Sequence, residues 1–189
     1  MGIRRTAEPT RPVRRQWTVE TTRADGVADA PASDPADRVA EVYRRHYPTL
    51  VRLAITVTGD PAGGPDLVHD VFADFHQHAH GIEHPSRWLV RATVNRGRSW
   101  IRRRVTARRH EPALAAAAAG RPETHAEQLA VRRALATLTH DQRAVLFLRF
   151  WLDLPEAEIA TTLGVRPGTV KSRISRGLRA LREGLDDGE

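Results

Sequence analysis

The chain has 189 residues, room for one medium domain or two small ones, and a net charge of +7. It has no cysteine, which excludes a disulfide framework, thiol catalysis and cysteine-ligated zinc or iron–sulfur sites. No stretch approaches the ~20 apolar residues that span a bilayer, and Arg4-Arg5 is not followed by the apolar core of an export signal, so a cytoplasmic chain without membrane insertion is expected.

Residues 1–33 mix Pro, Thr, Arg, Ala and Asp without periodicity and read as a disordered tail. Helical patterning begins at Asp34-Pro35, a capping residue followed by proline at the first helical position. Val39, Val42, Tyr43, Leu50, Leu53, Ala54 and Val57 then recur at three- and four-residue steps. Pro48 is expected to kink this helix, and Thr58-Gly59-Asp60-Pro61 to end it. A second helix carries Leu67, Val68, Val71, Phe72 and Phe75 on one face and stops at Gly81. A third runs from Pro85-Ser86 through Trp88, Leu89, Ala92, Val94 and Trp100 into Arg102-Arg103-Arg104.

Residues 105–122 read as a linker; as a flexible coil its ends would lie roughly 24 Å apart on average, enough to seat two small domains on separate sites. Beyond it, Thr124-x-x-Glu127, Thr139-x-x-Gln142 and Asp153-x-x-Glu156 each fit a capping box or its Asp variant ahead of an apolar run. No strand-like alternation competes. The expected fold is all-α: a tail (1–33), a three-helix domain (34–104), a linker (105–122) and a four-helix domain (123–185).

Charge is distributed unevenly along this frame. Residues 84–109 hold nine arginines and no acid, and residues 166–182 hold six positive charges and no acid. Two separated basic blocks suggest two contact surfaces for a polyanion. Between the helices ending at Leu163-Gly164 and starting near Pro167, the spacing of Ala160, Gly164 and Val170 is that of a helix-turn-helix: a small residue at the crossing, glycine in the turn, an apolar anchor in the second helix. On that second helix Val170, Ile174, Leu178 and Leu181 form the inner face, and Ser172, Arg176 and Arg179 point the opposite way. Arg166, Thr169, Lys171, Arg173 and Ser175 flank them, giving side chains suited to guanine edges and phosphates.

The first basic block interleaves Trp88 and Trp100 with Arg91, Arg96, Arg98, Arg102 and Arg103, and includes Asn95, which can hydrogen-bond a base edge. Aromatic rings among positive charges suit single-stranded nucleic acid; core packing is the competing role, and for Trp88 the favoured one. Asp66, Asp70 and Asp74 recur at four-residue steps on the second helix. Like charges so spaced disfavour an isolated helix, so the ridge points to a basic protein partner, with a merely solvated face as the alternative. His76, His78 and His80 cluster, and two histidines one turn apart hold a metal only if other ligands converge. No metalloprotease motif, phosphate loop or nucleophile motif is present, and neither cofactor, metal nor catalysis is expected.

These residues together resemble the extracytoplasmic-function group of bacterial RNA polymerase sigma factors, and within it the SigE-like actinobacterial branch. The resemblance covers about residues 37–185. It is carried by RHYPTLVRLA (45–54), TGD (58–60), DLVHDVF (66–72), HPSRWLVRATVNRGRSWIRRR (84–104), LTHDQRAVLFLRFWLDLPEAEIA (138–160) and LGVRPGTVKSRISRGLRALR (163–182). It implies that Asp66, Leu67, His69, Asp70, Phe72 and Asp74 lie on the helix that docks on the clamp coiled coil of the largest subunit of core RNA polymerase. It implies that residues 81–104 melt the −10 promoter element, with Asn95 at a position that contacts an unpaired non-template base, and that the helix-turn-helix reads the −35 element as duplex. An anti-sigma factor is the further class of partner such a chain admits. Two departures stand out: Gly63-Gly64-Pro65 replaces a more helical Ala-Glu lead-in and suggests a late start to the second helix, and His69 replaces a glutamine. No carboxy-terminal regulatory extension is expected. The competing assignment, a helix-turn-helix regulator that binds duplex DNA alone, leaves the acidic ridge and the first basic block without a purpose.

Overall fold

The structure, a computed structural model, describes residues 35–110 and 133–186. The tail, the Asp34 cap, linker residues 111–122 and the Thr124-x-x-Glu127 box lie outside them. All regular structure among the described residues is helical, and no helix there is long and apolar enough to cross a membrane.

Helix α1 (Pro35–Thr58) continues through Pro48 and ends where Thr58 Oγ1 donates to the Ala54 carbonyl and Gly59, at φ 70°, donates its N–H to Ile55 O. Asp60 then organises the turn into the next helix: its Oδ1 accepts the N–H groups of Ala62 (3.1 Å) and Gly63 (3.2 Å). Helix α2 (Gly64–His78) therefore starts at Gly64 rather than late, with Pro65 in its first turn, where a missing N–H costs nothing. The glycines do a second job. A Cβ on Gly63 would lie 2.3 Å from Trp100 Cζ2, and one on Gly64 2.6 Å from Ile55 Cγ1, so side chains here would push α1 and α3 off the turn. A single 3₁₀ turn (Ala79–Gly81) leads toward α3 (Pro85–His110), which runs six residues past the arginine triplet where the sequence pattern ended it.

The second half begins with helical residues 133–137. Helix α4 (His140–Leu146) is capped as its sequence predicts: Thr139 Oγ1 accepts from Gln142 N (3.3 Å) while Gln142 Oε1 accepts from Thr139 N (2.7 Å). It continues as a π-helical turn, Phe147–Trp151, whose extra residue turns Phe150 and Trp151 out to solvent. Helix α5 (Glu156–Leu163) starts from Pro155, not from Asp153. Asp153 stands at φ 54°, spent on the reversal that follows the π turn, and so does not act as the expected cap. Helix α6 (Pro167–Asp186) closes the described chain.

Leu50, Leu53 and Val57 from α1, Leu67, Val71 and Phe75 from α2, and Leu89 and Val90 from α3 are buried together. Their core is continuous with that of the second half, built on Val145, Leu148, Ile159 and Val170. Helices α1 and α3 pack against α4, and α3 against α5, so the two helical groups are apposed rather than held apart. Truncating any of the fully buried leucines to alanine is worth about 2–5 kcal/mol, a large share of what a small domain has.

Candidate nucleic-acid interface

The turn between α5 and α6 has the geometry its spacing requires. Gly164 adopts φ 66°, ψ 40°, a left-handed conformation in which a Cβ is strained, and the Val165 N–H reaches back to Ala160 O at 3.0 Å. Ala160 is buried at the helix crossing and Val170 anchors α6 with no exposure. The inner face of α6 departs from its sequence pattern at one position. Leu178 is 41 % exposed, and the inward place is taken by buried Gly177, where a Cβ would meet Leu146 Cδ1 at 2.9 Å. Leucine does not fit so close a helix contact, and glycine does.

Opposite that face, Arg166, Lys171, Ser175, Arg176 and Arg179 are exposed, with Thr169 and Ser172 half-buried beside them. Arg176 lies back along its own helix, donating from Nε to the Ser172 carbonyl (3.2 Å) and from Nη2 to Ser172 Oγ (3.1 Å). That aligns the guanidinium before any ligand arrives. Arg173 is different: it turns inward and its Nη2 meets Asp141 Oδ2 at 2.6 Å.

Of the α3 residues expected to serve single-stranded DNA, Arg91, Asn95, Arg98, Arg102 and Arg103 are exposed. Neither tryptophan is presented as an open stacking platform. Trp88 is half-buried with its ring 5.8 Å from Phe75, and Trp100 is packed over Gly63. Sequence alone favoured core packing for Trp88; the same physical reason now applies to Trp100. Arg87, Trp88 and Arg91 line an open cleft of about 430 Å³ with the loop Gly81–His84, and Thr161 and Thr162 of α5 form its far wall.

The acidic ridge is not purely outward-facing. Arg96 of α3 bonds Asp74 at 3.0 Å and approaches Asp70 at 3.9 Å, so an arginine expected to serve nucleic acid neutralises part of the ridge. Asp66 is exposed at the start of α2, where the helix dipole favours a carboxylate. Leu67 and Phe72 are buried; they hold α2 to α1 rather than offering a contact surface of their own. His69 is exposed within an aromatic group, its Nε2 3.2 Å from Tyr43 Oη and its ring stacked 5.3 Å from Tyr47. Tyr43 and Tyr47 on α1 therefore share one surface with His69. The sequence pattern had given Tyr43 only to the core and had assigned Tyr47 no role; tyrosine's apolar ring and polar tip suit it to both settings.

Asp141 is the residue that sequence reasoning missed altogether. It takes Arg98 Nη2 at 2.5 Å on Oδ1 and Arg173 on Oδ2, with the His140 ring at 3.2 Å. Burial works against its ionised form, but the hydrogen bonds from Arg98 and His140 and the charge of Arg173 outweigh it and hold the carboxyl below the ordinary aspartate range. Nothing in the local sequence marks it, since its partners lie 43 residues before it and 32 after it.

Residues 42–106 match the family described as Sigma-70 region 2, and residues 128–181 match Sigma-70, region 4. The ECF RNA polymerase sigma factor SigL of Mycobacterium tuberculosis is 32 % identical over 87 % of this chain and 96 % of its own length. The RNA polymerase sigma-E factor of Streptomyces antibioticus is 30 % identical over 77 % of this chain and 83 % of its own. Among solved structures, the sigma factor RpoE of Bartonella quintana, in complex with the anti-sigma factor NepR, shares the fold with a TM-score of 0.60 at 24 % identity, over 80 % of this chain and 96 % of that one. CnrH in complex with the cytosolic domain of CnrY does so at 0.61 and 23 %, over 82 % and 91 %. With a region 2 helical group whose third helix is basic, a region 4 helix-turn-helix, and close relatives along nearly its whole described length, this chain belongs to the extracytoplasmic-function RNA polymerase sigma factors.

Proposed function

We propose that the two halves divide promoter recognition between them in the cytoplasm: residues 34–104 dock on core RNA polymerase and open the −10 element, and residues 123–185 read the −35 element as duplex. Sigma factors are non-catalytic initiation factors, so every step is a binding step. Asp66, His69 and Asp70, with Tyr43 and Tyr47 beside them, form the face offered to the basic clamp coiled coil of the largest subunit; Leu67 and Phe72 shape it from beneath. Asn95, Arg91, Arg102 and Arg103 lie exposed along α3, where one unpaired non-template base and its phosphates would pass. Arg176, Arg179, Lys171 and Ser175 project from α6 as a helix entering the major groove requires.

The carrying observation is the pairing of this helix-turn-helix with a separate helical group that bears both an acidic docking helix and a basic one. A duplex-only regulator has use for the first alone. An anti-sigma factor is a fitting further partner, because a protein of the same fold is known bound to one.

Run-off transcription from genomic fragments, with core polymerase and with or without the purified chain, tests the proposal. Discrete transcripts that need the chain are expected. Duplex binding without any engagement of core polymerase would return the protein to the duplex-only class.

A further inference from the structure

The cleft beside the first turns of α3 is lined by more polar groups than the chain itself uses. Among the described residues, Arg96, Arg98 and Arg104 of α3 each end on a carboxylate, whereas Arg87 and Arg91, which line the cleft, form no ion pair. The Arg87 Nε is buried without a partner. On the far wall Thr162 is 3 % exposed, and its Oγ1 is likewise buried and unpaired. That sets it apart from other threonines of the chain. Thr56, Thr58, Thr93, Thr106 and Thr161 each donate to the carbonyl four residues back in their helix. Thr162 makes no such bond and keeps its hydroxyl proton uncommitted. A buried donor left unpaired costs stability, so two of them on opposite walls of one cleft call for an acceptor from outside the chain.

Electrostatics narrows the kind of acceptor. Two unpaired guanidinium groups outweigh Glu83, the acid among the lining residues, and the cleft lies at the amino end of α3, where the helix dipole adds to them. Arg91 also stands against the carboxyl end of α5: a Cβ on Gly164 would fall 3.0 Å from its Nη2, so the negative end of that helix is offset. Forked guanidinium groups and a hydroxyl are donors suited to phosphate. Ile82 and Trp88 supply an apolar side, and about 430 Å³ lies within the range of small-ligand pockets. We propose that this cleft binds the terminal phosphate of a small phosphorylated metabolite. Arg87 and Arg91 on one wall and Thr162 on the other hold the phosphate, and Ile82 and Trp88 take the carbon portion. A terminal phosphate carries three free oxygens and nearly two charges, giving an oxygen to each of the three donors. A phosphodiester within a strand has one free oxygen and one charge fewer. Arg91 is common to this site and to the proposed strand path, so the phosphate of the strand is the alternative occupant.

Calorimetric titration of the full chain with phenyl phosphate, a monoester with an apolar ring, tests the site beside methyl phenyl phosphate, the diester of the same ring. Saturable binding of the monoester with a Kd below about 1 mM is expected, with the diester at least about tenfold weaker. No saturation by the monoester up to about 10 mM overturns the proposal. Equal binding of both esters assigns the cleft to strand phosphate and overturns it as well. Thr162→Val keeps the shape of the side chain and removes the hydroxyl. It is expected to weaken monoester binding about five- to tenfold without lowering the Tm of the free chain, because an unpaired buried group is lost. Arg87→Gln is expected to weaken it at least about tenfold, and Arg44→Ala, at an exposed position on α1, to leave it unchanged. Unchanged affinity in Thr162→Val, or a loss in Arg44→Ala equal to that in Arg87→Gln, would reduce the binding to diffuse charge and sink the site. If a cleft variant loses helicity by circular dichroism, the parent chain decides. At about ten times its Kd the monoester must raise the Tm by a few degrees, and by more than the diester does at the same concentration. A missing rise overturns the proposal. These measurements use neither promoter nor core polymerase, so failure of the promoter roles shows separately, in the run-off assay.

Discussion

A histidine buried beside an arginine is costly to protonate, and His46 is so placed. It is 4 % exposed, with Ser86 Oγ 3.5 Å from its Nε2, and burial first, then the charge of Arg45, pushes its pKa down to about 4. The unfolded chain, titrating near 6.5, binds the proton more readily, so stability is complete above that value and declines as pH falls toward 4. Chemical denaturation at a series of pH values is expected to show a loss on the order of 2 kcal/mol across this window, allowing for solvent near the ring. His46→Leu should flatten that part of the profile; an identical slope in the variant would clear His46 of the effect. In the helix-turn-helix, Arg176 is already aligned by Ser172 and exposed. Its replacement by alanine should weaken binding by about 1–3 kcal/mol at one base pair and relax specificity there. Binding measured against duplexes varied one pair at a time checks this, and a uniform loss across all of them would reduce Arg176 to a phosphate contact.

Elements show where sequence patterns carry information and where they lose it. The helix-turn-helix was legible because its rule is local: glycine at a left-handed turn, a small residue four positions earlier, an apolar anchor six later. Gly164→Ala tests that turn. Left-handed backbone costs a β-carbon about 1–2 kcal/mol, so a melting temperature lower by a few degrees is expected, with helicity retained; an unchanged Tm would mean the turn relaxes freely. The Thr139 box was legible for the same reason, whereas the Asp153 pattern misled. It has the spacing of a cap, but the π turn just before it consumes a residue and forces Asp153 to positive φ. Leu178 misled likewise. A strict helical period assigns it inward, yet α6 approaches Leu146 too closely at Gly177 to admit it. Gly63 and Gly64 read as weak helix formers and proved to be spacers beneath Trp100 and Ile55.

At the scale of the whole chain, the all-helical fold and its two sigma-type domains were in the pattern, but their apposition was not. It is made by single polar contacts such as Arg143 to Val57 and Arg98 to Asp141, which lie 86 and 43 residues apart and leave no periodic trace. The same blindness hid Arg96, which sequence gave to nucleic acid and the fold gives to Asp74. The separation of tasks between halves yields a test of its own. Asp70→Arg places a positive charge on the proposed docking face, and should lower core polymerase affinity while leaving duplex affinity of the free chain within twofold. Equal loss in both assays, with reduced helicity, would trace the effect to folding instead.

Helix α3 adds a mechanical consequence. Its 26 residues make an unbroken rod about 39 Å long. The cleft residues Arg87 and Arg91 sit near its first end, and the segment joining the two halves departs from its last. A rod behaves as a lever, so a tilt of about 10° imposed by a strand at the first end displaces the other by about 7 Å. Under the proposed roles, a base seized at one end would therefore shift the other end of α3, from which the chain leads on to the region 4 half.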